Sequence, residues 1–212
     1  GFGGRMGERK CCSFGDSSTT SFFPAKPLGC YGDGGAIFTD DDAIAALCRS
    51  IAVHGKNADD KYDNVRLGMN SRLDTMQAAI LMPKFKAFKE YELKAVNRAA
   101  DRYTDLLRKI EGVVLPVTPD GFYSSWAQYT VQLPVGADRD AIQRRMKAAG
   151  IPTMVYYRKP MHRQGAFEGT GSADADCPVT EELCNRVLCL PIHPYLEVEE
   201  IENVVRELGK AL

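Results

Sequence analysis

The sequence predicts an α/β chain that closes with a small α+β domain. Three observations lead there. Short β-rich runs flank a Pro/Gly-rich connection near the start, a long apolar pattern of helical period fills the middle, and strand, strand, helix, strand signals follow it.

The first β-rich run is "TTSFF" (Thr19 to Phe23) and the second is "GAIFT" (Gly35 to Thr39), with Lys26 in the connection between them. Next, "TDDDAIAALCRSIAVHG" offers an acidic first turn, apolar residues at Ile44, Leu47, Ile51 and Ala52, and Gly55 as a stop. That spacing predicts a helix of about four turns. The polar stretch "KNADDKYDNVRLGMNS" has no period and is a loop that delivers Asn70 and Arg72. From Arg72 to Glu111 apolar residues including Phe88, Tyr91, Ala99, Tyr103 and Ile110 recur every three or four positions, with Pro83 expected to kink or divide the helix. At about 1.5 Å per residue the part beyond Pro83 runs roughly 40 Å, enough to link two domains. The expected division is therefore 1–111 and 112–212.

After it come "VVLPV", "SSWAQYTVQLP", a helix from Asp138 closed by Gly150, and "IPTMVYY" as a strand. Two helices are expected at the end, "VTEELCNRVL" and "VEEIENVVRELGKAL", the latter with Val198, Ile201, Val205 and Leu208 on one face.

Composition narrows the function. The 212 residues, 44% hydrophobic, allow one large domain or two small ones. With 27 basic and 28 acidic residues the net charge is -1, and no charge block marks a nucleic-acid or membrane-surface binder, so a small-molecule partner is expected. Seven cysteines (Cys11, Cys12, Cys30, Cys48, Cys177, Cys184, Cys189) contain no C-x-x-C pair, which gives no readable disulfide framework or zinc site and suits a reducing cytoplasm. No apolar run approaches the roughly 20 residues that span a bilayer. The opening "GFGGRMGERKCC" has no initiator methionine and no signal-peptide pattern, and an N-terminal portion of a larger protein is expected before it.

The chemistry centres on "SFFPAKPLGCYGDGG" (Ser21 to Gly35), where Lys26 stands between Pro24 and Pro27. A surface lysine needs no such setting, because its ammonium is content in water on almost any backbone. An amine that attacks carbonyls must instead be fixed and partly buried, since desolvation is what makes it nucleophilic. Ser21 could offer its hydroxyl to a phosphate, and the "GDGG" run could let backbone amides approach an anion. Neither a phosphate-binding G-x-x-x-x-G-K-[ST] loop nor a G-x-G-x-x-G turn occurs.

"SFFPAKPLGCYGDGGAIFTDD", "HG" (His54, Gly55), "GMNSRLDTMQAAIL", "GIPTMVYY", "PMH" and "LCLPIHPYL" follow one another in an order that resembles the DegT/StrS-type sugar aminotransferases, which are fold-type I pyridoxal-phosphate enzymes. The resemblance spans essentially the whole chain and implies the C-terminal part of that fold: the end of the large domain, then the small one. It implies pyridoxal 5'-phosphate as cofactor, with Lys26 as the lysine that bonds to it and moves protons, Ser21 on its phosphate, and Asn70 reaching the phosphate from the neighbouring subunit of a homodimer. The likeness is nearest to members acting on a UDP-linked 2-acetamido-3-oxo-hexuronic acid, in surface-polysaccharide or amino-sugar biosynthesis with glutamate as donor. Arg72 is the candidate that grips the uronate carboxylate, because a guanidinium presents paired donors to a planar anion.

Tyr157 and His162 fall where the family places substrate-contacting groups. Relatives commonly have histidine before that tyrosine and proline after it, where this chain has Tyr156 and Arg158, so different sugar contacts are expected. Asn70 and Asp74 also have a bland reading as turn and helix-start residues, and His193 is expected to support the fold. The family's aspartate for the pyridine nitrogen precedes the lysine by more than this chain contains, so the 212-residue chain alone is expected to be inactive. Three alternatives remain beside the transferase: a sugar-nucleotide dehydratase of the same fold, against which Lys26 argues, a non-catalytic module with a degenerate site, and a structural or dimerising domain resting on the amphipathic segment from Pro83 to Glu111.

Overall fold

In the computed structural model, which describes residues 1–60 and 62–212, the chain divides into two units. One comprises Gly1–Leu93 with Thr118–Ser125, the other Lys94–Val117 with Trp126–Leu212.

The first unit holds two small antiparallel sheets. Strands β1 (Arg5–Met6), β2 (Arg9–Lys10) and β5 (Phe122–Tyr123) pair in the order β2-β1-β5. Strands β3 (Ser18–Ser21) and β4 (Gly35–Phe38) pair with Ser21 opposite Gly35 and Ser18 opposite Phe38. Helix α1 (Asp42–Ile51) is shorter than the four turns expected, because Asp41 already serves as its N-cap, accepting from Ala43 and Ile44 amides, and the chain leaves the helix at Ala52. The loop after it carries only isolated bridges, Val53 to Asn70 and Lys56 to Asn64; Lys61 of this loop lies outside the described residues.

Helix α2 (Thr75–Ala87) starts after Asp74, whose carboxylate accepts from the Met76 amide at 2.7 Å, so Arg72 precedes the helix instead of opening it. Pro83 does not divide α2. It is exposed, where losing one backbone hydrogen bond is tolerated. The irregularity falls one turn later, as a wide π-type turn over Phe88–Glu92, before α3 (Leu93–Leu107). The apolar centre of this unit is Phe22, Leu28, Cys30, Leu81 and Phe88. Phe2 packs on it, its ring 5.9 Å from Phe88 and 6.3 Å from Phe22, a role the glycine-rich opening did not suggest.

The second unit begins inside the helical stretch, not after Glu111. Burial explains this: Ala99, Ala100, Tyr103 and Leu107 of α3 belong to its core together with Tyr129, Val131, Leu133, Ile142, Met146, Leu188, Leu190 and Leu208. Each large apolar side chain withdrawn in this way contributes about 1.5–3 kcal/mol. Strand β6 (Tyr129–Gln132) pairs antiparallel with β7 (Val187–Leu190), in register Tyr129 to Leu190. Helix α4 (Arg139–Ala148) is capped by Asp138 and closed by Gly150 at φ +78, where a side chain would be strained. It packs on β7 and on α6 (Val198–Ala211).

Two sequence assignments change here. "IPTMVYY" is not a strand; only Met154 bridges, to Cys189. The predicted helix "VTEELCNRVL" stops as α5 (Pro178–Arg186), and Val187 to Leu190 becomes β7 instead. An apolar run of four residues, the last three buried, satisfies its backbone against β6 and its side chains against the core at once, which overrides helical continuation. Among the described residues no helix is long and apolar enough to cross a membrane.

Candidate functional site

The turn that carries Lys26 is built by its own backbone. β3 ends at Ser21, and the next residue, buried Phe22, donates its amide to Gly34 O at 2.8 Å and accepts from the Cys30 amide at 2.8 Å. The Lys26 amide donates to Phe23 O at 2.8 Å. Cys30 is fully buried, and its thiol donates to Phe22 O and Gly32 O, both at 3.0 Å. Phe22, Leu28 and Cys30 therefore anchor the loop in the apolar centre while Pro24 to Lys26 stay outside.

Gly29 is required by close approach: a Cβ there would stand 2.7 Å from both Phe23 O and Pro24 O. The last two glycines of "GDGG" are used in the same inward way: a Cβ on Gly34 would meet Cys30 Sγ at 2.9 Å and one on Gly35 would meet Thr20 O at 2.8 Å, so their missing side chains make room for the protein itself. Gln77 of α2 completes the frame, its Oε1 accepting from the Tyr31 amide at 2.8 Å. The sequence reading missed Gln77, although a polar side chain inside the apolar run "TMQAAIL" was a signal.

Lys26 is thus fixed by its backbone, but its side chain is exposed, not partly buried as expected. The turn's buried side chains lie on either side of it in sequence, and nothing of the first unit covers Pro24 to Lys26. Ser21 Oγ accepts from the Phe23 amide at 3.1 Å, which leaves its own hydrogen to donate.

Asn70 and Arg72 lie together beside the strands β3 and β4. Arg72 Nε donates to Asn70 Oδ1 at 3.1 Å, and both residues line a cavity of about 850 Å³ with Thr19, Thr20 and Arg49. Neither Ser21 nor Lys26 lines it.

Tyr157 and His162 belong to the second unit. Tyr157 is exposed. His162 has a mostly buried ring whose Nε2 lies 3.1 Å from Glu181 Oε1, and Arg163 Nε donates to the same oxygen at 3.0 Å. The His162 ring and then the Arg163 guanidinium hold the Glu181 carboxyl below the usual carboxylate range. His162 therefore fastens the short turn Met161–Arg163 to α5. Arg158 does comparable work: it donates to Asp140 Oδ1 at 2.7 Å and to Gln143, tying the segment after Tyr157 to α4. Asp140 also accepts from Arg139 Nε at 2.6 Å, and Arg139 followed by Arg158 lowers its pKa.

Residues 1–209 match the model of the DegT/DnrJ/EryC1/StrS aminotransferase family. The chain is 42% identical over 207 residues to the UDP-2-acetamido-2-deoxy-3-oxo-D-glucuronate aminotransferase of Pseudomonas aeruginosa, covering 98% of this chain and 55% of that one. Among solved structures it superposes on a DegT DnrJ EryC1 StrS aminotransferase from Brucella abortus with TM-score 0.89 and 43% identity, covering 98% of this chain and 54% of the other. It also superposes on S. venezuelae DesV, solved in complex with a ketimine intermediate, with TM-score 0.88 and 32% identity, covering 98% and 54%. The chain spans about half the length of the curated relatives it matches. Its mixed helix and strand architecture is that of part of a fold-type I transferase, and with the match running almost end to end, the chain belongs to the DegT/DnrJ/EryC1/StrS aminotransferase family.

Proposed function

We propose that the protein to which this chain belongs transfers an amino group, from glutamate, to the ketone of a sugar nucleotide, with pyridoxal 5'-phosphate as cofactor. The observation that carries this reading is the turn Phe22–Gly34, which spends three backbone hydrogen bonds and a buried thiol on fixing one exposed lysine. The donor set suits the cofactor: a primary amine at Lys26, which has no side-chain partner among the described residues, and a hydroxyl at Ser21 with its hydrogen available five positions away.

When bound, pyridoxal phosphate supplies the electron sink that lets an amino group leave one carbon and join another. Lys26 Nζ is the amine that would hold the cofactor, and when free it would take and return the proton at the donor's α-carbon. Pinning the backbone lowers the ordering cost of bringing that amine back on each turnover. Ser21 donates its hydroxyl to the cofactor phosphate and Asn70 adds a second polar contact from a neighbouring subunit. Arg72, steadied by Asn70, grips the carboxylate of a 2-acetamido-3-oxo-hexuronic acid carried on UDP. Tyr157 and His162 shape the sugar side.

On this reading the first unit belongs to the cofactor-binding domain, and the second unit, which takes α3 into its core, is the small domain. The 212-residue chain alone does not complete a turnover. The protein is a cytoplasmic homodimer; exposed Leu67 (97%), Met76 (70%) and Met69 (58%) on one segment support self-association, and seven free thiols suit a reducing compartment.

The test is reductive trapping. The chain is mixed with pyridoxal phosphate, reduced with borohydride and digested, and the phosphopyridoxyl mass is located by tandem mass spectrometry. Selective labelling of Lys26, lost in Lys26→Ala, is expected; labelling spread over many lysines would defeat the assignment.

A further inference from the structure

A second cavity, of about 630 Å³, lies where the end of α1 meets the loop after it, lined by Leu47, Arg49, Ser50, Lys56, Asn57 and Arg66 among others. Three of these are cations, and no residue lining the cavity is acidic. Among the described residues Arg49 and Lys56 have neither a hydrogen bond nor an ion pair through their side chains, and Arg66 has one partner, the hydroxyl of Ser50. The neighbouring carboxylate of Asp63 is engaged by Asn57 Nδ2 at 2.8 Å.

Cations gather at helix C-termini to satisfy free carbonyls, but here most of those carbonyls are taken. Cys48 O accepts from the Ala52 amide at 2.9 Å, Ser50 O from Gly55 at 2.8 Å, Ile51 O from Met69 at 2.8 Å and Ala52 O from Ser71 at 3.0 Å. Among the described residues the side chains of Arg49 and Lys56 therefore have no structural task, and Arg66 has only its bond to Ser50. The Lys56 backbone and the Arg66 guanidinium are held in place. Buried Ser50 donates to Lys56 O at 2.6 Å and accepts from Arg66 Nη1, which welds the loop to the helix and leaves the other guanidinium donors of Arg66 open. Gly55, at φ +76, lets the chain turn back tightly enough for this.

We infer that this cavity binds the phosphate or diphosphate of a small molecule. One carboxylate would leave most of the three positive charges uncompensated, whereas a phosphate dianion or a diphosphate matches them, and the guanidinium forks suit paired phosphate oxygens. The partial negative charge at the end of α1, about half a unit, is outweighed by three full charges. The inference stands apart from the role of Lys26.

The 212-residue chain is titrated with inorganic phosphate and, separately, with uridine diphosphate, against chloride at matched ionic strength, while backbone amide shifts are followed by NMR. Saturable movement of the Ser50, Lys56 and Arg66 amides is expected with both phosphates and not with chloride. Arg49→Gln and Arg66→Gln, each with an intact amide fingerprint, weaken binding at least about fivefold, whereas Lys147→Gln, an equal change of charge in the second unit, does not. Tighter binding of the diphosphate assigns two phosphate positions; equal affinities assign one. Shifts that do not saturate, that chloride reproduces, or that ignore both arginine changes overturn the inference. So does a response confined to Ser21–Lys26, which would bear on the cofactor reading instead.

Discussion

Replacing Gly29 with alanine tests whether the turn exists to hold Lys26. The added Cβ would stand 2.7 Å from two backbone oxygens, those of Phe23 and Pro24, and neither can swing aside as a side-chain tip would. Relief requires the Phe23–Pro24 segment to move, and that segment carries the bonds Lys26 N to Phe23 O and Cys30 N to Phe22 O. Losing both costs about 2–3 kcal/mol at roughly 1 kcal/mol per bond plus some loss of burial around Cys30 and Leu28. The first unit should therefore unfold at lower urea, and borohydride labelling of Lys26 by pyridoxal phosphate should fall at least about tenfold at equal reagent. A Gly29→Ala chain with unchanged urea midpoint and unchanged labelling would refute the claim that backbone closure positions the amine. Lower stability with full labelling would refute only the coupling between the turn and the amine.

Other outcomes follow from particular contacts. Leu208→Ala, at a fully buried position, should cost about 2–5 kcal/mol in denaturant unfolding of the second unit; a loss under 1 kcal/mol would mean that α6 is not part of its core. Asp74→Ala removes the cap of α2 and should cost about 1 kcal/mol without changing the labelling of Lys26, whereas altered labelling would give Asp74 a place in the site. The Asp140 carboxyl is held below its ordinary 3.8 by Arg139 and then Arg158, so the stabilisation from these pairs is present above about pH 4 and lost as pH falls through the lowered value. In a carboxyl-carbon NMR titration, Arg158→Ala should move the Asp140 midpoint back toward 3.8; an unmoved midpoint would exclude the Arg158 tether.

Local chemistry in the sequence determined much of this protein. The acidic caps at Asp41, Asp74 and Asp138, the glycine stop at Gly150 and the β-rich runs around Lys26 are short-range signals whose energetics close within one turn, and each appears near its expected place. The motif order from Ser21 to Leu196 was equally legible, because a family's turn residues are written contiguously. What only the tertiary structure decided depends on partners distant in the chain. "VLCL" reads as the end of a helix until β6, more than fifty residues earlier, offers its backbone. Long-range packing also drew α3 into the second core ahead of the expected boundary, turned the last two "GDGG" glycines inward against Cys30 and Thr20, and left Lys26 exposed on an ordered turn. A sequence carries its short-range bonds on its face, whereas burial depends on which segments meet, and that is settled only when the whole chain has packed.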